Sequence, residues 1–199
     1  MTNDIDKFSI FPRGYQNKEG KAVFATRPQQ AQDIAWVYDY ITSTRAQWAT
    51  EKLRSMVGEA SKEELSDFKK LNFESATFAG IFSYRNARNL VHRSPFVVLD
   101  IDDLSSMEEA REVQQTLVAD SYVETALCFV SPKGRGVKWV IRQPEWIQSP
   151  DFKTAFQMLS QHVGFQYGIV VDKSGSDVCR ACFLPYDPEC FINPIYFLR

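Results

Sequence analysis

Asp100 and Asp102 stand two apart at the end of the run Phe96-Val97-Val98-Leu99, and no other spacing in the chain suits chemistry as well. Four apolar residues of high β-propensity that run into a polar stop read as a strand covered on both faces. Side chains alternate along a strand, so the two carboxylates project from one face about 7 Å apart, with Ile101 opposite. Paired carboxylates where a buried strand ends suit a hard divalent cation and suit a hydrophobic core poorly. Without chemistry, the same residues are a polar strand end with helix-capping aspartates.

The stretch Ser131-Pro132-Lys133-Gly134-Arg135-Gly136 comes next in interest. Two glycines at i and i+2 let backbone amides turn toward an anion, and Lys133, Arg135 and Lys138 add charge. The spacing is not G-x-x-x-x-G-K-[ST] and no helix follows, which excludes a P-loop ATPase. Beside an acidic metal site the hairpin becomes a triphosphate cradle; alone it is a basic turn. Upstream, Arg85, Arg88 and Arg93 sit with Tyr84 and His92 in a segment suited to phosphates or a template strand, or to a solvated connection. Cys179, Cys182 and Cys190 follow the pattern C-x2-C-x7-C, with His162 or Cys128 as a fourth zinc ligand. Cys179 and Cys182 fall in an expected strand, where a spacing of three points them to opposite faces, so buried free thiols are expected.

The elements that must position these residues follow from periodicity. Strands are expected at Lys7–Pro12 and Lys21–Thr26, joined through Gly14–Gly20. Helices follow from Gln29 to Ser43, from Thr44 to Val57, and from a Ser61-x-x-Glu64 capping box with Leu65, Phe68 and Leu71 inward. Phe78–Tyr84 is a further strand. After the acidic strand comes a helix with Met107, Ala110, Val113 and Leu117 as its stripe, opened by a box at Ser105–Glu108. Strands at Tyr122–Val130 and Val137–Arg142 flank the glycine hairpin. Ser149 caps a helix with Pro150 at its first position, and Gly164 stops it. Ile169–Asp172 and Val178–Leu184 are the last strands, and the chain ends on the strand-like Asn193–Arg199.

From Phe96 the order is β-α-β-β-α-β, the split βαβ, ferredoxin-like or RRM-like plan. The fold class is therefore α+β, with an antiparallel sheet in the order 4-1-3-2 and both helices on one face. Residues 94–199 form that core and residues 1–93 an N-terminal α+β layer. The acidic strand is then central. Its end meets Lys138 on one side and the Asp172–Arg180 segment on the other.

Composition bounds the rest. The chain is 44% hydrophobic and 14% aromatic, which places it among globular domains, and 199 residues suffice for one substantial core. Lys+Arg 23 against Asp+Glu 25 gives a net charge of -2, so nucleic-acid binding needs a local patch rather than a global basic field. No apolar run is long enough for a membrane span and the N-terminus lacks a signal-peptide plan, so a cytoplasmic protein is expected.

The succession VVLDIDD, SPKGRGVKWVI and VVDKSGSDVCRACFLPYDPE resembles the VirE-type N-terminal domain of mobile-element proteins, a distant relative of the archaeo-eukaryotic primase (Prim-Pol) superfamily. The resemblance runs from about Lys69 to Asn193. It implies a primase-type core in which Asp100, Asp102 and Asp172 (or Asp177 in place of Asp172) are catalytic and bind Mg2+ or Mn2+. It also implies that Ser131, Lys133, Gly134, Arg135, Gly136, Lys138 and Arg180 hold the phosphates of an NTP or dNTP, beside a single-stranded nucleic acid. Polymerising members carry histidine in the second motif, where this chain has Lys138. Such domains often precede a helicase-like segment or work with a helicase, in replication or mobilisation of the element. Two alternatives stand beside this reading. One is a catalytically inactive nucleic-acid or protein-binding module of the same fold. The other is a haloacid-dehalogenase-type phosphatase, which shares hhhhDxD but continues Asp-Gly-Thr and needs a parallel sheet.

Overall fold

The computed structural model describes residues 4–197. The chain begins with β1 (Ser9–Phe11), the pair β2 (Tyr15–Gln16) and β3 (Ala22–Val23), and helices α1 (Ile34–Thr42), α2 (Gln47–Met56) and α3 (Lys62–Asn72). Local chemistry starts these helices. Asp33 accepts from the Trp36 amide at 2.9 Å, and Ser61 and Glu64 form the expected reciprocal capping box. Strands β4 (Ser75–Thr77), β5 (Gly80–Phe82) and β6 (Leu90–Arg93) lead into the acidic strand β7 (Phe96–Ile101). Then come α4 (Met107–Val118), β8 (Glu124–Val130), β9 (Val137–Arg142), α5 (Phe152–Tyr167), β10 (Cys182–Phe183) and β11 (Phe191–Ile192). The fold is α+β with antiparallel pairing in each of its small sheets. No helix among the described residues is long and apolar enough to cross a membrane.

Alternation along the strands gives the main sheet two dry faces. Val97, Leu99 and Ile101 of β7 and Val137, Trp139 and Ile141 of β9 pack on Ala110 and Leu117 of α4 and on Ala155, Phe156, Leu159 and Val163 of α5. Both helices therefore lie on one face, as expected. The opposite face, with Phe96, Leu127, Phe129 and Val140, is covered by Phe8, Ile10, Val37 and Ile41 from the N-terminal part. Trp139 is fully buried and its indole N–H donates to Thr125 Oγ1 at 2.8 Å, so its polar atom is satisfied.

The sheet order corrects the expectation. The observed order is β11-β8-β9-β7, so the acidic strand is an edge rather than central. The segment 169–172 does not form a strand, although the Asp172 amide donates to the Asp100 carbonyl at 2.8 Å. Asp172 then turns its carboxylate onto the Ser174 amide, closing a 3-10 turn over Lys173–Ser176, and an aspartate that bonds its own downstream backbone ends a ladder. Only Cys182–Phe183 of the expected final strand pairs, and it pairs with β4 in a separate sheet. The fourth place is taken by β11. β7 is antiparallel to β9, which is not the parallel arrangement that the phosphatase alternative needs.

Smaller corrections have local causes. β1 pairs with β4 rather than with Lys21–Thr26, whose residues Ala22–Val23 pair with Tyr15–Gln16. The expected strand over Phe78–Tyr84 shortens to Gly80–Phe82, and Gly80 lets β6 approach closely: a Cβ there would lie 2.2 Å from the His92 carbonyl oxygen. Helix α4 is capped by Ser106 rather than Ser105, and α5 by Asp151 rather than Ser149, because the Asp151 carboxylate accepts from both the amide and the hydroxyl of Thr154 at 2.8 Å. Helix α5 runs through Gly164 and stops at Gly168, whose left-handed φ of 67° suits a C-cap glycine. The terminal segment coils as a 3-10 turn over Pro194–Phe197, and Leu198 and Arg199 lie outside the described residues.

One buried ion pair ties the last quarter of the chain to the sheet. Asp187, fully buried, accepts from the Arg111 guanidinium of α4, from the Val130 amide at 2.7 Å and from the Glu189 amide at 3.2 Å. Removing one partner of such a pair leaves a desolvated charge, which costs about 3–5 kcal/mol. Arg111→Met should therefore lower unfolding free energy by roughly 3 kcal/mol, read from the urea midpoint at unchanged slope. A loss under about 1 kcal/mol would show that the two amides alone hold the carboxylate.

Candidate metal and phosphate site

The register of β7 on β9 sets Asp100 opposite Lys138, on the face turned away from α4 and α5. Lys138 Nζ is in direct contact with Asp100 Oδ2. Beyond Ile101 the chain turns, with Asp103 at φ 61°, a left-handed conformation that aspartate adopts more readily than most residues. That turn leaves Asp102 at the mouth of the site. Asp172 approaches from the far side, held by its amide bond to the Asp100 carbonyl. One carboxylate oxygen from each of Asp100, Asp102 and Asp172 lies within 4.8 Å of the others.

These residues fit a hard cation. Opposed oxygens across an octahedral Mg2+ are about 4.2 Å apart, so small rotamer changes bring the three onto one ion. Asp100 Oδ1 is buried without a hydrogen-bond partner, as is Ser131 Oγ nearby. A buried acceptor without a donor is costly unless a ligand completes it. Such an all-oxygen set selects Mg2+ or Mn2+ over thiolate-seeking metals.

The acidic trio opens into a cleft of about 300 Å³, whose basic lining is Lys69, Lys133, Lys138, Arg85 and Arg180. Burial pulls the Lys138 ammonium down to about 8, with Lys69 and Arg180 pulling the same way and Cys182 and Asp172 opposing. Burial likewise lowers Lys69, helped by Lys133 and opposed by Asp102. Burial raises Asp102, and Asp172 and Asp103 add to the rise while Lys133 resists it. Burial pushes Asp172 upward too, but the Ser174 hydrogen bonds and the charges of Arg180 and Lys138 outweigh it and leave that carboxyl below the ordinary range. Arg180 stands 3.6 Å from Asp172.

Of the residues singled out by sequence, Asp100, Asp102, Ser131, Lys133, Lys138, Asp177, Arg180 and Arg85 line this cleft, and Asp172 joins them through its carboxylate. In the glycine hairpin, two of the amides are already used by the backbone. The Ser131 amide donates to the Gly136 carbonyl and the Gly134 amide to the Ser131 carbonyl, so both are spent within the turn. Gly136 serves close packing instead, since a Cβ there would lie 2.5 Å from the Ile101 carbonyl oxygen. Arg135 points to solvent and its carbonyl accepts from Leu104. Arg88 is exposed on a 3-10 turn away from the cleft, and Arg93 is spent on structure, donating to Gln143 Oε1 at 2.7 Å and to the Pro150 carbonyl at 3.1 Å. Asp177 holds the Cys179 amide at 3.1 Å and is not one of the trio. Sequence reasoning missed Lys69, Phe24 and Phe183. Lys69 reads as a basic residue in a helix's last turn, a role that masks any other.

Residues 67–192 match the family model described as BT4734-like, N-terminal domain. The chain belongs to that family. This family is related to VirE-type N-terminal domains, in keeping with the motifs around Asp100, Ser131 and Asp172. No curated protein and no solved structure matches the chain. The matched region holds the acidic trio and the hairpin but leaves Phe24 outside.

Lys138 competes with any cation for Asp100. Lys138→Met should tighten Mn2+ binding in the absence of nucleotide severalfold, while weakening the Mn2+–triphosphate complex through loss of a phosphate partner. Calorimetry with Mn2+ alone and with Mn2+–tripolyphosphate reads both directions. Unchanged affinity in both titrations would remove Lys138 from the site.

Proposed function

We propose that this domain binds a metal–nucleoside triphosphate and a single-stranded nucleic acid in the cleft, and transfers a nucleotidyl group in the manner of the Prim-Pol primase-polymerases. The observation that carries the reading is the meeting of Asp100, Asp102 and Asp172 with Lys69, Lys133, Lys138 and Arg180 in one cleft. Carboxylates and cations in alternation suit a metal–polyphosphate better than either a bare metal or a bare anion. A bound Mg2+ or Mn2+ would neutralise charge on the transferring phosphate. Asp100, Asp102 and Asp172 would hold that ion. Lys69, Lys133 and Arg180 would orient the polyphosphate, and Lys138 would exchange its contact with Asp100 for one with phosphate. In the transfer the strand's 3′-oxygen bonds to the α-phosphorus, pyrophosphate leaves and the hydroxyl proton goes to water.

A second reading, a binding module without turnover, is favoured by one observation. Lys138 neutralises Asp100 where polymerising relatives of the implied superfamily carry histidine, a residue that exchanges protons near neutral pH. The two separate in one assay. Labelled NTPs or dNTPs, Mn2+ or Mg2+ and single-stranded DNA should give extended products, with Asp100→Asn reducing them by at least about 100-fold, the scale of losing a main electrostatic stabiliser. Nucleotide binding without any product would favour the module.

A further inference from the structure

Next to the acidic trio, the cleft carries a group of planar side chains that the phosphate chemistry does not use. The Arg85 guanidinium lies 4.2 Å from the centre of the Phe24 ring. Phe24 stacks on Phe183 with ring centres 5.5 Å apart and planes within 18°. All three line the cleft, and Lys69 Nζ lies 5.6 Å from the centre of the Phe183 ring. This group is set in place by backbone: the Arg85 amide donates to the Thr26 carbonyl at 2.8 Å, and Phe183 is held in β10 against β4.

Arg85 is the member that points to a ligand. Its Nε is buried and has no hydrogen-bond partner, and no ion pair of Arg85 occurs among the described residues. Burial lowers its pKa, and the groups that act on it are Cys179, Asp177, Arg180 and Tyr84 rather than the trio. Arg180 also reaches Asp172 at 3.6 Å, so it stands between the two groups. A buried guanidinium Nε–H without an acceptor, backed by a stack of rings, offers a flat cationic surface and an in-plane donor. Nucleobases have the matching chemistry, a π-face and ring acceptors in the same plane.

We infer that Arg85, seated on Phe24 and Phe183, is the nucleobase-binding end of the cleft, so that the ligand is a nucleoside triphosphate held at both ends rather than a polyphosphate alone. This rests on the metal–triphosphate reading above. It also gives the residues outside the family match a task, since Phe24 comes from the N-terminal part.

The test is calorimetry on the full chain with Mn2+–ATP and with Mn2+–tripolyphosphate. The wild type should prefer the nucleotide by about tenfold or more, within the range that base stacking supplies. Arg85→Lys keeps the charge and loses the plane, and should bring the preference within about twofold while leaving tripolyphosphate binding unchanged. Phe24→Leu, a milder change at the base of the stack, should act in the same direction. Equal binding of the two ligands by wild type overturns this inference and leaves the metal–triphosphate reading standing. A preference kept by Arg85→Lys overturns it as well, and if oligo-dT binding is lost in that variant the platform serves the strand instead. Binding of neither ligand overturns both readings.

Discussion

The pairing register of β7 on β9 is the constraint on which the rest depends. Phe96 faces Arg142 and Asp100 faces Lys138 across an uninterrupted ladder. A slip of β7 by one residue would exchange that strand's faces, sending Asp100 into the helix-covered core and Leu99 into the cleft. Burying the Asp100 charge that way, away from Lys138, costs several kcal/mol. The register is pinned by the fit of Trp139 beneath the helices, by its bond to Thr125, and by Gly136, which lets the hairpin close against Ile101.

That register would leave an open platform if the sheet's second face were bare, as in the RNA-recognition plan. Here the face is covered. Phe8, Ile10, Val37 and Ile41 pack on it, and β4 draws β10 away from the main sheet. The acidic strand is thereby exposed as an edge, and the 169–176 segment shields it with one backbone bond and a capped turn instead of a full ladder. Short, interrupted coverage of this kind protects an edge from pairing with other chains while leaving side chains accessible. The result is a cleft walled by residues from both ends of the sequence.

Charge in that cleft is nearly matched, but burial more than that balance sets the unusual state of its lysine. Lys138 is pulled toward neutrality by burial and by Lys69 and Arg180, yet touches Asp100. A direct carboxylate contact favours the ammonium. The pair neutralises its own charge but leaves Asp100 Oδ1 without a partner, so a divalent ion would offer Asp100 a stronger partner and a phosphate would offer Lys138 another.

Much of this was legible in the residues themselves. The run FVVLDIDD forced a buried strand ending in carboxylates, because four apolar β-formers and a polar stop have few other solutions. The capping box at Ser61 and the stripe of α4 followed from spacing that local hydrogen bonding and helical periodicity dictate. The pairing of Lys138 with Asp100 could be argued from element order, whereas the approach of Asp172 was expected from a flanking strand that does not form. Tertiary structure decided the remainder. Whether Val178–Leu184 joins the acidic strand or leaves for β4 depends on competition between two edges, and no local pattern records the outcome. Two amides of the SPKGRG hairpin, those of Ser131 and Gly134, are spent inside the turn, a matter of backbone geometry that composition cannot reveal. Arg85 and Arg93 look alike in sequence, and each has a buried Nε without a partner, yet Arg93 spends its two terminal nitrogens on Gln143 and Pro150 while Arg85 lies over the Phe24 ring. Residue type sets what a side chain is able to bind; the packing around it decides whether that capacity is already used.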